Sequence, residues 1–196
     1  SGVERYREGI KIYEGLNDED RVLELLKSVS EKCLLNNHLV LAGEFSDKLF
    51  KLAKKLDNSF YLGESKYIQG YLQIKQSDQG QLMDALSKIR DAAVIFEKNE
   101  DFIGASTCFQ RIGNIYHKNL DMIDNGVLFY TAAIENYNKA IKKGHPLRKT
   151  IWSKPETLKQ KIIELKGLVE LLIPLIENDT IKKKVLKDLN SIDYYF

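Results

Sequence analysis

Histidine and cysteine, the residues most versatile in chemistry, are few and dispersed in this 196-residue chain. The three histidines are His38, His117 and His145, and the two cysteines are Cys33 and Cys108. Metal sites, phosphate loops and nucleophile elbows need compact motifs such as HExxH, paired CxxC, GxxxxGK[ST], GxGxxG or GxSxG, and none of these is present. Cys108 and His117 lie nine residues apart, which places them on opposite sides of a helix. We therefore predict a non-catalytic protein without metal or cofactor, whose cysteines are small buried thiols.

The composition favours a folded chain built from helices. Hydrophobic residues make up 43% of the sequence, which is ordinary for a globular protein. The first 143 residues contain no proline, and no alternating apolar and polar stretch is bounded by hairpin turn sequences. These features predict an all-α fold.

The expected location rests on two patterns, an amino-terminal leader and a membrane-spanning run. The opening Ser1-Gly2 is typical of a cleaved purification tag, and no charged-then-apolar leader follows it. No apolar run approaches the roughly 18 residues of a membrane span. We predict a cytoplasmic protein, with peripheral membrane association as the alternative.

A recurring triplet of residues organises the predicted helices. Its three copies share a four-then-three spacing and begin 39 and 41 residues apart: Ser46, Phe50 and Ala53; Ala85, Ile89 and Ala92; and Gly126, Tyr130 and Ala133. Small residues allow two helices to cross closely, and a period near 40 residues is typical of stacked helical pairs. The pattern therefore predicts a helical repeat.

A second pattern lies on the helices between these triplets. Four positions of one helix match four positions of another with an offset of 42 residues: Gly63, Tyr67, Tyr71 and Ile74, and Ala105, Phe109, Gly113 and Tyr116. With Ile112, the later set resembles the first-helix pattern of tetratricopeptide repeats, and the triplets resemble the second-helix pattern. The resemblance covers about residues 38 to 143, although no Trp opens and no Pro closes a repeat. It implies a right-handed α-solenoid of antiparallel helix pairs.

The predicted helices occupy most of the chain. Seven helices are predicted at residues 3–16, 18–35, 38–56, 59–76, 122–143, 155–177 and 179–193, and Asn17 is the predicted cap of the second. Two more helices lie between residues 76 and 122, and predicted turns at 76–81, 98–101 and 119–121 separate them from each other and from their neighbours. Pro174 is expected to kink or end its helix. We divide the chain into a repeat array, residues 1–143, and a basic loop with divergent carboxy-terminal helices, residues 144–196. Those helices either cap the array or dock a partner or a second copy of the chain.

Positive charge concentrates toward the carboxy terminus. Residues 139–187 contain 13 Lys or Arg and five Asp or Glu, whereas the whole chain has a net charge of +2. The proposed basic face consists of Lys142, Lys143, Arg148, Lys149, Lys154, Lys182, Lys183 and Lys184. It suits an acidic protein segment or a phospholipid surface, and solvated lysines are the simpler explanation. The scarcity of nearby aromatic residues argues against nucleic acid.

The resemblance also implies a groove lined by polar residues of the first helices. The matching positions in this sequence are Gln69, Gln73, Gln110, Arg111, Asn114, His117 and Lys118. The primary hypothesis is a scaffold or adaptor that binds a segment of another protein, in this groove or at the carboxy-terminal helices. A stretch beginning at Arg111 is similar to soluble attachment proteins of vesicle fusion, which gives a trafficking or membrane-proximal adaptor as the alternative. A ligand-sensing regulatory module is a third possibility.

Overall fold

The computed structural model describes residues 2–76, 81–143 and 158–192, and all of the elements in these ranges are helical. The helices are α1 Gly2–Gly15, α2 Glu19–Leu35, α3 Leu39–Lys55, α4 Ser59–Gln76, α5 Leu82–Lys98, α6 Phe102–Asn114, α7 Ile123–Lys143, α8 Leu158–Leu172 and α9 Asp179–Ser191. A π-helical turn, Ile115–Asn119, extends α6, and a 3₁₀ turn, Ile173–Leu175, follows α8. The predicted all-α fold is confirmed for this part of the chain.

The chain divides into two compact units, Ser1–Ile95 and Phe96–Phe196. In the first unit α1 packs on α2, α2 on α3, and α3 on α4. In the second, α7 packs on α6, α8 and α9. Helices adjacent in sequence are therefore adjacent in space, as a helical repeat requires. The boundary that we predicted at 143/144 falls inside the second unit and stays a prediction about where the repeat ends.

Four of the turns between helices are built in the same way. Each has one residue with positive φ, and these are Asn17, Asn37, Asp57 and Glu100. The amide of this residue donates to the carbonyl three residues earlier, and the next amide donates to the carbonyl five residues earlier. This is the Schellman motif, which satisfies carbonyls at the end of a helix. Asn17 and Asp57 are 40 residues apart, and Glu100 follows 43 residues later, so the turns repeat with the period of a helical pair.

The residue after the positive φ immediately precedes the next helix. Asp18, Asn58 and Asp101 each accept a hydrogen bond from the amide three residues on, at 3.0–3.2 Å. The prediction that Asn17 caps α2 was therefore wrong by one residue. Asn17 adopts the left-handed conformation that ends α1 (φ 55°), and the carboxylate of Asp18 is the cap.

Two glycines mark close helix crossings, one in each unit. A Cβ on Gly70 would lie 2.6 Å from Ile89 Cγ1 and 3.1 Å from the carbonyl oxygen of Ala85. A Cβ on Gly113 would lie 2.6 Å from Tyr130 Cδ1 and 3.1 Å from the carbonyl oxygen of Gly126. Gly70 and Gly113 are 43 residues apart in the sequence. The residues that they contact, Ala85 and Ile89 in one crossing and Gly126 and Tyr130 in the other, are 41 residues apart, so the same crossing occurs twice.

The packing of the helices is compatible with the predicted repeat, but two positions of the repeat were assigned to the wrong residue. The sequence pattern matched Tyr71 to Gly113, whereas Gly70 makes the equivalent crossing, because only a residue without a side chain fits there. It also assigned Phe50 to the earliest triplet, yet Phe50 is half-buried and Leu49 is fully buried. Ser46 and Ala53 of that triplet are fully buried, so only its central position is displaced, from Phe50 to Leu49.

The second unit is closed by α8 and α9. Residues from α7, α8 and α9 form one hydrophobic core, with Val169 and Val185 fully buried. Pro174 lies in the 3₁₀ turn that ends α8, as predicted. The predicted loop at 145–155 lies outside the described residues.

Candidate functional site

Two of the predicted groove residues contact a buried tyrosine of α7. Tyr130 is fully buried, and its hydroxyl donates to Oδ1 of Asn114 at 2.9 Å. Nδ1 of His117 lies 3.3 Å from the same hydroxyl. Burial raises the pKa of Tyr130 to about 12. The two polar side chains therefore satisfy a hydroxyl that would otherwise be buried without a partner.

Gln110 makes a similar contact one turn earlier. The hydroxyl of Tyr137 donates to Oε1 of Gln110 at 3.4 Å. Burial raises the pKa of Tyr137 to about 12, although a hydrogen bond with Thr107 acts in the opposite direction. Nζ of Lys161 lies 5.6 Å from the centroid of the Tyr137 ring, so α8 also contacts this tyrosine. Gln110 thus belongs to the contact between α6 and α7.

The π-helical turn explains why His117 reaches α7. A π-helical turn holds more residues than an α-helical one, so the residues after Asn114 rotate relative to an ideal helix. The backbone of α7 comes so close that a Cβ on Gly126 would lie 2.9 Å from Cβ of His117. Lys118, the next residue, is exposed, and Arg111 is half-buried.

The two groove residues predicted in the first unit differ from each other. Nε2 of Gln69 donates to Oδ1 of Asp47 at 2.7 Å in an exposed contact between α4 and α3. Gln73 is half-buried, and its Oε1 is buried without a hydrogen-bond partner among the described residues. Gln69 is half-buried too, but its hydrogen bond is open to solvent, whereas the side-chain carbonyl of Gln73 does not reach solvent. The role of all seven groove residues in binding stays a prediction.

Part of the predicted basic face is already paired within the second unit. Nζ of Lys143 lies 2.8 Å from Oε1 of Glu100 and 5.1 Å from the centroid of the Phe102 ring. Lys183 and Lys184 are exposed on α9, and Lys182 is half-buried there. Lys142 is exposed at the end of α7. Arg148, Lys149 and Lys154 lie outside the described residues.

Both cysteines are buried free thiols, as predicted. Burial raises the pKa of Cys33 and raises that of Cys108 well above its usual value, so both are protonated at neutral pH. Within the described ranges, no group of three or more His, Cys, Asp and Glu side chains could hold a metal ion. The described helices also include none long and apolar enough to cross a bilayer.

A groove that the sequence did not single out lies on the first unit, between α1 and α3 and above α2. Its volume is about 730 Å³. Its floor is apolar and its rims are charged, and the lining residues are Arg7, Ile10, Lys11, Glu14, Val22, Leu26, Glu44, Phe45, Lys48, Lys51, Leu52 and Lys55. The signal in the sequence was the spacing of Lys48, Lys51 and Lys55, which puts three cations on one face of α3. We call this the α1–α3 groove.

Comparison of the chain with protein-family models, curated proteins and solved structures found no match to any of them.

Proposed function

We propose that the chain is a non-catalytic helical-repeat scaffold that binds a segment of another protein. The observation that carries the proposal is the twofold occurrence of one helix crossing, at Gly70 and at Gly113. Helical repeat proteins are built by repeating one helix crossing, and their stacked units expose extended binding surfaces. The proposal includes the finer architecture, a right-handed α-solenoid of antiparallel pairs resembling tetratricopeptide repeats, with α8 and α9 as its cap.

The surfaces available for such a partner follow from the contacts above. Asn114 and Gln110 already hold buried tyrosine hydroxyls, so replacing them would disturb packing as well as any binding. Gln69 and Lys118 are better probes of the groove implied by the tetratricopeptide resemblance. The hydrogen bond from Gln69 to Asp47 is exposed, and Lys118 lies at the surface.

The experiment is affinity capture from a cell lysate with the intact chain, at low and at physiological salt. The proposal expects a protein partner that survives physiological salt and is weakened by Gln69→Ala or Lys118→Glu, or by changes in the α1–α3 groove. Circular dichroism of each variant controls for folding. Failure of the wild-type chain to retain any protein in repeated captures would contradict the proposal.

The second candidate is a membrane-proximal adaptor that uses the basic face. It is favoured by the exposure of two residues of the basic face, Lys183 and Lys184, and of the neighbouring Lys187 on the same helix, α9. This candidate expects the chain to sediment with phosphatidylserine vesicles at low salt, to dissociate as salt rises, and to lose binding in the Lys183→Glu/Lys184→Glu/Lys187→Glu variant. Sedimentation that is unchanged in this variant would exclude α9 as the contact.

A further inference from the structure

We propose that the α1–α3 groove is a docking site for an acidic amphipathic helix of a partner protein. This inference rests on the proposed function, since it names the surface and the chemistry of the partner segment. It differs from the polar groove implied by the tetratricopeptide resemblance in both position and chemistry. The groove lies entirely within the first unit.

The charge of the groove specifies an acidic partner. Five Lys or Arg and two Glu line it, which gives a net charge of +3. The first unit as a whole contains 14 Lys or Arg and 15 Asp or Glu, a net charge of −1. Positive charge is therefore concentrated in the groove of a unit that is otherwise slightly acidic. Such a concentration attracts carboxylates and speeds their encounter.

Two of the groove's cations have no ion-pair partner among the described residues, namely Lys11 on α1 and Lys51 on α3. The others are engaged. Arg7 and Lys48 approach the carboxylate of Glu44 at 3.3 and 3.1 Å, and Lys55 pairs with Glu19 at 3.0 Å. Both rims of the groove thus carry an exposed lysine that a partner carboxylate can reach without breaking an existing ion pair.

The floor supplies the apolar half of the site. Ile10, Val22 and Leu26 line it from α1 and α2, and the half-buried Leu52 lines it from α3. Phe45 lies between the rims, with Arg7 and Lys48 each 5.7 Å from its ring centroid. An apolar strip flanked by cations is complementary to a helix with an apolar face and acidic flanks.

The lining chemistry favours a helix over an extended segment. An extended peptide needs partners for its backbone amides and carbonyls, and these come from sheet edges or from amide side chains. The lining contains no Asn, Gln, Ser or Thr, and its own backbone is helical. A helix satisfies its backbone hydrogen bonds internally and presents only side chains. The rim from Glu44 to Lys55 is about 17 Å long, which matches roughly three helical turns.

The test is a fluorescence-anisotropy titration of the full chain with a designed peptide of about 14 residues. The peptide has leucines at helical i, i+3, i+4 and i+7 spacing and glutamates on the flanks, and a control peptide replaces each glutamate with lysine. The groove variant is Lys11→Glu/Lys51→Glu. Its matched control is Arg5→Glu/Lys54→Glu, which makes the same charge change on the same two helices at exposed positions outside the groove.

The expected result is saturable binding of the acidic peptide that weakens as salt rises and no comparable binding of the lysine peptide. The groove variant should weaken binding by about tenfold or more, and the matched control by less than about twofold. Equal binding of the acidic peptide by the two variants, or equal binding of the two peptides, would overturn the proposal. The proposal would also be overturned if the chain bound phosphatidylserine vesicles and not the acidic peptide, and if Lys11→Glu/Lys51→Glu abolished this vesicle binding.

The lysate capture separates this inference from the proposed function. A partner retained equally by wild type and by Lys11→Glu/Lys51→Glu would preserve the scaffold and overturn the groove. No partner for the wild type, together with specific peptide binding, would contradict the scaffold in that lysate while leaving the groove's chemistry supported. Circular dichroism spectra that match the wild type establish that both double variants are folded.

Discussion

Gly113→Ala tests the helix crossing on which the repeat depends. A Cβ at this position would lie 2.6 Å from Cδ1 and 2.7 Å from Cε1 of Tyr130, well inside van der Waals contact. Tyr130 is fully buried and its hydroxyl is bonded to Asn114, so the ring cannot move without cost. Overpacking of this kind costs about 1–3 kcal/mol. Alanine recovers about 0.8–1 kcal/mol of helix propensity, which leaves a net loss of up to about 2 kcal/mol.

The matched control is Gly167→Ala in α8 of the same unit. No atom lies within 4 Å of a Cβ built on Gly167, so this substitution gains helix propensity without a steric penalty. It should raise the free energy of unfolding by about 0.5–1 kcal/mol. The difference between the two variants isolates the steric cost of the crossing.

Unfolding in urea is monitored by amide hydrogen exchange in α6 and α7. The amides of these helices report on the unfolding of the second unit by itself. With a urea dependence near 2 kcal/mol per M, Gly113→Ala should lower the midpoint of unfolding by up to about 1 M, whereas Gly167→Ala should raise it. In a Tyr130→Leu background the cost of Gly113→Ala should shrink, because the ring atoms it meets are gone. If Gly113→Ala raises the free energy of unfolding as Gly167→Ala does, the close crossing between α6 and α7 does not exist.

Three further predictions follow from the turns and the buried tyrosines. At Asp57 (φ 51°), thermal unfolding should rank Gly at or above Asp, and Val about 1–2 kcal/mol below it; equal stability of Val and Gly would refute the left-handed turn. Burial raises the pKa of Tyr130 and Tyr137 in the folded chain to about 12, above the value of ~10 in the unfolded chain. Their contribution to the free energy of unfolding is therefore complete below pH ~10 and is lost as the pH rises from there through 12. Ultraviolet titration should show both hydroxyls ionising late, and Tyr→Phe at each should remove that late step; titration of all tyrosines near pH 10 in the folded chain would contradict their burial. Asn114→Ala should cost about 1–3 kcal/mol by leaving the Tyr130 hydroxyl without its acceptor, whereas Gln69→Ala should change stability by less than about 0.5 kcal/mol; equal costs in urea unfolding would argue against this hydrogen bond.

The helices and their order could be predicted from the sequence because apolar periodicity and turn chemistry agree along the chain. Asn37 and Asp57 stand where helices end, and short polar side chains tolerate the left-handed conformation better than other residues do. The register was harder to predict. Neighbouring Gly and Tyr residues at 70 and 71 fit the motif almost equally well, and only the distance between helix backbones decides between them.

The candidate site could be predicted only in part. The sequence shows that Gln110 and Asn114 are polar positions on α6, but it does not show that buried tyrosine hydroxyls of α7 face them. The rotation introduced by the π-helical turn at Ile115–Asn119 is likewise a consequence of packing against α7. The α1–α3 groove depends on which faces of two separate helices converge above a third. Such convergence is a tertiary property that a single helix pattern does not specify.

The measurement that tests the central claim most directly is cross-linking mass spectrometry of the intact chain with its captured partner, using a lysine-reactive reagent. The account predicts that one partner segment cross-links to lysines on one surface, and that Lys11 and Lys51 on the two rims of the α1–α3 groove are among them. The same cross-links should disappear when the acidic peptide is added in excess. Cross-links scattered over α1 to α9 without a preferred surface would contradict the claim that this helical repeat binds a partner at a defined site.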